Sequence, residues 1–195
     1  MNEAVFERIA AIAFLAAILV GSYHRIRAHR PDEKISRKEE GKLIWFRLVL
    51  FPFLIGLILH ISKPEAMQWS TVKLPNGLRW LGAAVTITCI PLLYWVFHSL
   101  GKNITDTVVT RTEHTLVTKG PYRWVRHPFY TTVILSWIGL SLLLASWLFP
   151  VLMAVFVLYL ILRTPMEEAN LSKRFGEDYR AYMQRTGSFL PRLRR

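Results

Sequence analysis

Long apolar stretches alternate with short polar segments along the whole chain. The first runs from about Ala4 to Tyr23, the second from Leu43 to Ile61 and the third from Leu78 to Leu100. A hydrocarbon core about 30 Å thick is crossed by a helix of roughly 20 mostly apolar residues, and each stretch is close to that length. The pattern therefore predicts three N-terminal membrane spans within residues 1–100.

A fourth apolar stretch, from Phe129 to Leu162, is too long for one crossing. As a single helix rising about 1.5 Å per residue it would measure roughly 50 Å, well beyond the hydrocarbon core. Ser146, Trp147 and Pro150 lie near its middle, where they favour a break. We therefore expect two short helices, Phe129–Ala145 and Leu148–Leu162, packed as a tight hairpin and followed by a basic helical tail, Thr164–Arg195.

The distribution of basic residues predicts how the chain is oriented. Lys and Arg are concentrated in segments 24–42, 101–127 and 163–195, and cytoplasmic loops of membrane proteins carry such an excess. The predicted fold is an all-α, polytopic protein of the cell membrane with about five spans, its N-terminus outside and its C-terminus inside. Residues 101–195 would form a second region, made of a cytoplasmic loop, the hairpin and C-terminal helices.

Composition supports this class and excludes others. The chain has 195 residues, 52% of them hydrophobic, and a net charge of +12. Its basic residues lie between apolar spans rather than on one compact face, so nucleic acid is not an expected partner, whereas membrane lipids are. One cysteine, Cys89, excludes an intrachain disulfide, and the six histidines lack zinc-ligand spacing, so no metal site is predicted. The glycines form no phosphate-binding loop, which argues against a soluble dinucleotide-binding fold.

The segment Lys119–Tyr130, KGPYRWVRHPFY, has two interpretations. Pro128 is suited to the first turn of a helix and precedes the apolar stretch directly. The aromatic residues Tyr122, Trp124 and Tyr130 would form an interfacial belt, with basic side chains reaching lipid phosphates, and composition alone favours this. Alternatively, the free N–H groups of a helix start, together with aromatic faces, would bind a zwitterionic, aromatic-bearing cofactor.

The segment Arg163–Glu168, RTPMEE, is equally open. Thr164, Pro165 and Glu167 fit the N-cap, N1 and N3 positions of a capping box, which would start a new helix. If the helix instead continues through a kink, Arg163 and Glu167 share one face at the membrane interface, where ionisable groups are often functional. The residues by themselves do not choose between the two.

Four motifs in this order resemble one family. GPYRWVRHPFY, the upstream HTLV at residues 114–117, RTPMEE and the tail FGEDYRAYMQRTGSFLP are together similar to the isoprenylcysteine carboxyl methyltransferase family, in particular its short prokaryotic members. The resemblance covers Lys102–Leu193, whereas RHPxY alone is shared with phospholipid methyltransferases. The chain departs from the family's usual pattern in placing Thr131 and Thr132 after the RHPxY tyrosine.

The resemblance implies an S-adenosylmethionine-dependent enzyme that methylates the C-terminal carboxylate of a prenylated cysteine. It implies that Arg163 binds the substrate and that Arg163 and Glu167 are the catalytic residues. It also implies a set of residues that bind the methyl donor: His114, Thr115, Leu116, Val117, Tyr122, His127, Pro128, Phe129, Tyr130 and Glu167.

Two other functions compete with this expectation. A phospholipid N-methyltransferase needs a neutral amine, which would give Glu167 or Glu168 the role of general base. In a membrane scaffold without enzymatic activity, the same motifs would be an aromatic belt and a helix cap.

Overall fold

The computed structural model describes residues 3–28, 43–104 and 115–192, without the side chains of residues 43–47 and 49. In that part of the chain the regular structure is helical. The five α-helices are α1 (Glu3–Ala28), α2 (Leu43–Ser62), α3 (Asn76–Leu100), α4 (Pro128–Leu143) and α5 (Leu148–Arg185). Short 3₁₀ helices cover Pro64–Ser70, Gly101–Asn103 and Gly120–Arg123. The all-α prediction is confirmed for these residues.

Within the described residues, three helical segments are long and apolar enough to cross a membrane: Glu3–Ala28, Asn76–Asn103 and Leu148–Arg185. Two shorter apolar helices accompany them, Leu50–Ser62 and Pro128–Leu143. These apolar helices agree with the expected membrane protein. The count of five spans and their orientation stay predictions.

The expected hairpin is present and pairs α4 with α5. The connection is the short segment 144–147, in which Ala145 has a positive φ of 49°. The Trp137 ring of α4 stacks on Phe156 of α5, with centroids 5.0 Å apart, and on Phe53 of α2 at 3.8 Å. Because α4 and α5 run in opposite directions, the beginning of α4 lies beside Glu167 and Glu168 of α5. These two residues follow the end of the apolar part of α5, at Leu162, by more than one helical turn.

A close crossing holds α3 against α4. A Cβ atom added to Gly82 would lie 2.5 Å from the backbone nitrogen of Leu143 and 2.7 Å from the carbonyl oxygen of Gly139. Small residues of this kind let two helix backbones approach in an apolar environment, where van der Waals packing is the main attraction. Gly82 and Gly139 thus fix the position of α4.

The turn between α4 and α5 lies at the opposite end of the hairpin from the start of α4, and hydrogen bonds from neighbouring elements hold it in place. Arg79, which is buried, donates from Nε to the carbonyl of Leu143 at 3.1 Å and from Nη1 to Glu3 at 2.6 Å. The backbone nitrogen of Trp147 donates to the carbonyl of Ser70 at 3.0 Å. These bonds tie α1, α3 and the 3₁₀ helix Pro64–Ser70 to the turn.

The structure differs from the expected end of the last span. We expected a helix ending at Leu162 and a separate tail from Thr164, but α5 continues through Pro165 to Arg185 and bends at Gly176, where φ is 55°. The Thr164 hydroxyl donates to the carbonyl of Leu160, as it does inside a helix. The capping-box interpretation is therefore wrong, since Thr164 precedes no new helix.

Candidate functional site

The first turn of α4 contacts the middle of α5 through a tyrosine and a carboxylate. The Tyr130 hydroxyl donates to Oε2 of Glu167 at 2.9 Å. Tyr130 is buried and belongs to the main apolar core, while Glu167 is half-buried. This bond joins the two motifs that the sequence analysis singled out, because the hairpin returns α5 to the level where α4 begins.

The neighbouring carboxylate, that of Glu168, has different partners. Its Oε1 accepts a hydrogen bond from Nε of Arg126 at 2.8 Å and lies 3.1 Å from Nε2 of His127. Successive residues of an α-helix point about 100° apart, so Glu167 and Glu168 serve different sides of the site. Glu168 lies beyond the apolar part of α5. Burial would raise its pKa, but the hydrogen bonds from His127 and Arg126 outweigh burial and lower it to about 2.

The histidine and the tyrosine of the first motif lie side by side. The rings of His127 and Tyr130 are nearly parallel, at 9°, with centroids 5.4 Å apart. His127 comes just before α4, whose first residue is the buried Pro128. The Phe129 ring packs against Phe97 of α3, with centroids 5.5 Å apart. Consecutive residues of the motif thus point toward α5 and toward α3.

Residues 186–190, which we name the C-terminal strap, run beside residues 124–127. The backbone nitrogens of Arg126 and His127 donate to the carbonyls of Gly187 and Ser188, at 2.9 and 3.0 Å. The Thr131 hydroxyl donates to the carbonyl of Phe189 at 2.8 Å. The Phe189 ring lies 5.7 Å from that of His127 and 6.3 Å from that of Tyr130. The strap therefore forms a wall beside the two rings.

Arg126 and a second tyrosine fasten the region around the strap. The Nη1 atom of Arg126 donates to the carbonyls of Met183 and Thr186. The Tyr182 hydroxyl donates to the carbonyl of Tyr122 at 2.6 Å. Tyr122 is itself buried, and burial raises its pKa far above the ordinary value, so its phenol stays neutral.

Arg163 lies one helical turn before Glu167, on the same side of α5, as the interpretation of a continuous helix expected. Its Nη1 donates to the Tyr159 hydroxyl at 3.2 Å. Its Nε is buried and has no hydrogen-bond partner among the residues that the structure describes. An unpaired buried donor is costly and uncommon, so this atom is suited to bind an incoming acceptor.

The HTLV motif is described only in part. His114 lies outside the described residues, whereas Thr115, Leu116 and Val117 follow an irregular path. Asn103, at the end of α3, binds Thr115: the Asn103 amide donates to the Thr115 carbonyl at 3.2 Å, and the Thr115 nitrogen donates to the Asn103 side chain at 3.3 Å. The described contacts do not join these three residues to the cluster around Glu167.

The residues that fasten this site were not predicted from the sequence. Glu168 was considered only as a base, and Asn103 and the strap had no assigned contact. Arg126 was expected to reach lipid phosphates, whereas in the structure it donates to Glu168. The paired acids of RTPMEE were the available signal, since two adjacent carboxylates on a helix must face different partners. Among the described residues, no group of three or more His, Cys, Asp and Glu side chains is arranged to hold a metal ion.

A family profile and several known proteins point to one family. The profile of the isoprenylcysteine carboxyl methyltransferase (ICMT) family matches residues 81–173. The rat protein-S-isoprenylcysteine O-methyltransferase is 31% identical over 157 residues, which cover 74% of this chain and 55% of the rat protein. A probable protein-S-isoprenylcysteine O-methyltransferase of rice (Oryza sativa subsp. indica) is 32% identical over 142 residues, covering 70% of this chain and 72% of the rice protein.

A solved structure has the same fold. The eukaryotic intramembrane Ras methyltransferase ICMT matches with a TM-score of 0.56 at 24% identity, over 93% of this chain and 62% of that one. The chain therefore spans little more than half the length of the rat relative and about three fifths of the solved chain. The resemblance found in the four motifs is confirmed by the family profile, the curated relatives and the fold. The chain belongs to the isoprenylcysteine carboxyl methyltransferase family.

Proposed function

We propose that this protein transfers a methyl group from S-adenosylmethionine to a lipid-borne carboxylate, that of a prenylated cysteine or a similar group, at the cytoplasmic membrane interface. The observation that carries the proposal is the juxtaposition of Tyr130 and Glu167 with Arg163 one turn away, its Nε buried and unpaired. Family membership supports the reaction, since the rat relative is named as a protein-S-isoprenylcysteine O-methyltransferase.

The residues present fit the methyl donor. Glu167 receives one described hydrogen bond, from Tyr130, and a carboxylate has about four acceptor positions, so capacity remains for the cationic part of the donor. The rings of His127, Tyr130 and Phe189 provide apolar and π surfaces beside it. The proposed donor-binding residues are those of the family resemblance: His114, Thr115, Leu116, Val117, Tyr122, His127, Pro128, Phe129, Tyr130 and Glu167.

Arg163 is the proposed residue for the methyl acceptor. A guanidinium binds a planar carboxylate through two parallel hydrogen bonds, and the free Nε supplies one of the required donors. Tyr159 holds Nη1 of the same guanidinium and so limits its rotation. Arg163 would align the acceptor, which accelerates the reaction by positioning rather than by proton transfer.

The reaction needs little acid–base help from the protein. When bound, the donor supplies a methyl group on a sulfonium, and its transfer to a carboxylate oxygen leaves a thioether and an ester. A C-terminal carboxylate, with a reference pKa of about 3.5, is already ionised at neutral pH. Because opposite charges disappear in this step, a site that excludes water favours it. The buried faces of Tyr130 and His127 contribute to such exclusion.

A phospholipid N-methyltransferase remains the second candidate, because the RHPxY motif occurs in both groups. That reaction needs a base for a protonated amine. Glu168, with its pKa lowered to about 2 and its oxygen engaged by Arg126 and His127, is a poor base. The contacts of Glu168 therefore argue against it as the base, and an N-methyltransferase reaction would depend on Glu167 alone.

Calorimetry in detergent tests the first requirement of the proposal. S-adenosylhomocysteine, the demethylated product, should bind to the purified protein, and adenosine alone should bind more weakly, since it lacks the charged groups that Glu167 and the start of α4 would contact. Absence of binding by S-adenosylhomocysteine would contradict the proposal and favour a scaffold.

A further inference from the structure

One oxygen of Glu168, on α5, has polar contacts with two other segments of the chain. Its Oε1 accepts from Nε of Arg126 at 2.8 Å, lies 3.1 Å from Nε2 of His127 and lies 3.5 Å from the Ser188 hydroxyl. Arg126 and His127 precede α4, Glu168 belongs to α5, and Ser188 belongs to the strap. The proposed reaction assigns no role to Glu168, although its carboxylate is only 19% exposed.

The contact with His127 determines which ring nitrogen carries a proton. An ionised carboxylate only accepts hydrogen bonds, so Nε2 of His127 must be the donor. In the neutral ring the other nitrogen, Nδ1, then has a free lone pair and is an acceptor. No hydrogen bond to Nδ1 is found among the described residues, and the ring packs beside those of Tyr130 and Phe189.

We propose that Glu168 is a positioning residue that holds His127 with its proton on Nε2. The other ring nitrogen, Nδ1, then accepts a hydrogen bond from an N–H group of S-adenosylmethionine. This inference rests on the proposed function, which supplies the ligand. The α-ammonium of the donor's methionine part has the required chemistry. A carboxylate that orients a functional histidine through the second nitrogen is a general way of fixing its tautomer and its ring direction.

A purely structural role for Glu168 makes a different prediction. Glu168 would then only fasten the strap, through Arg126 and Ser188. However, Arg126 reaches the Met183 and Thr186 carbonyls by itself, and the backbone of residues 124–127 pairs with the strap without Glu168. The strap can therefore stay attached when Glu168 is replaced, while the tautomer of His127 changes. A substitution of Glu168 distinguishes the positioning role from the purely structural one.

The test compares Glu168→Gln with Glu168→Ala. The amide oxygen of Gln still accepts from Nε2, whereas Ala removes the acceptor. The imidazole nitrogens would be measured by NMR in protein labelled with ¹⁵N-histidine, in detergent and without ligand. The His127 signal is the one that is absent from the spectrum of His127→Asn. We expect the Nε2–H form in the wild-type protein and in Glu168→Gln, and a mixture of tautomers in Glu168→Ala.

Binding of S-adenosylhomocysteine provides the second readout. Loss of an oriented hydrogen bond should weaken binding about tenfold in Glu168→Ala, while Glu168→Gln should stay within about threefold of the wild-type protein. Glu177→Ala is the matched control, because Glu177 is an exposed residue of α5 that pairs with Arg180.

Each outcome decides the inference. An Nδ1–H form in the wild-type protein, or an unchanged Nε2–H signal in Glu168→Ala, would overturn it. If Glu168→Ala does not fold, Glu168→Gln decides alone, and a mixed tautomer there would overturn the inference. If wild-type protein fails to bind S-adenosylhomocysteine, the proposed function fails, whereas the tautomer measured without ligand still tests the contact itself.

Discussion

The hydroxyl of Tyr130 lies 2.9 Å from the carboxylate of Glu167, although the membrane hairpin separates the two residues in sequence. The bond depends on the length of that hairpin, because α4 and α5 must return to the same level for the two side chains to meet. Arg163, one turn before Glu167, is thereby placed next to the first motif. The site is a product of the hairpin rather than of either motif alone.

Three substitutions in the candidate site should weaken binding of S-adenosylhomocysteine, the demethylated form of the methyl donor. His127→Ala, Tyr130→Ala and Glu167→Gln each remove a group that we assign to the donor, and a hydrogen bond to a charged group contributes about 1.5 to 3 kcal/mol. S-adenosylhomocysteine should bind roughly ten- to a hundredfold more weakly by calorimetry. Tyr94→Phe, a change at an exposed tyrosine of α3, is the control. Unchanged binding in all three variants would assign these residues to structure only.

Arg163→Lys should impair methyl transfer far more than it impairs binding of S-adenosylhomocysteine. Lysine keeps the charge but lacks the planar fork that binds a carboxylate, so kcat/KM for the acceptor should fall roughly ten- to a hundredfold. Arg180→Lys, on the exposed part of α5, should leave the rate unchanged. A parallel loss of rate and of product binding in Arg163→Lys would show that Arg163 does not act on the acceptor.

Gly82→Ala should destabilise the protein at the crossing of α3 and α4. The added methyl group meets the backbone of Leu143 and Gly139, which cannot move aside as a side chain would. Overpacking of this kind costs about 1 to 3 kcal/mol. Gly77→Ala is the matched control in the same helix, because a Cβ there meets no atom within 4 Å. Thermal unfolding in detergent should show a lower Tm for Gly82→Ala only; equal Tm values would contradict the close crossing.

The hairpin could be predicted from the sequence because an apolar stretch of that length must fold back in a membrane. The shared face of Arg163 and Glu167 followed from helical geometry once the helix was allowed to continue. The continuation of α5 through Pro165 was not predictable, since the local signals of Thr164, Pro165 and Glu167 fit a helix start equally well. In the continuous helix, Leu160 and Thr164 are both buried on one side of α5.

The strap was not predictable for a different reason. Its contacts join Gly187, Ser188 and Phe189 to residues 124–131, and pairing between such distant segments leaves no periodic pattern in either one. The same holds for Glu168, whose partners Arg126 and His127 come from another motif. Local signals thus identified the motifs but not the bonds between them.

The orientation of the chain stays a prediction that labelling can test. Gln68 lies in the 3₁₀ helix beside the hairpin turn, and Arg180 lies past the candidate site, so the two mark opposite ends of the hairpin. In a Cys89→Ala background, a membrane-impermeant maleimide should label Gln68→Cys in intact cells and label Arg180→Cys only after permeabilisation. Labelling of both from the outside would contradict the predicted topology.

The chemistry of the methylated product tests the identity of the methyl acceptor most directly. Protein in detergent or liposomes would receive S-adenosylmethionine with a farnesylcysteine analogue or, separately, with phosphatidylethanolamine. We predict a base-labile methyl ester on the farnesylcysteine carboxylate. At saturating S-adenosylmethionine its rate of formation should change little between about pH 6 and 8, since that carboxylate is fully ionised there. A stable N-methyl product on the amine lipid, with no ester on the prenylcysteine, would contradict the account.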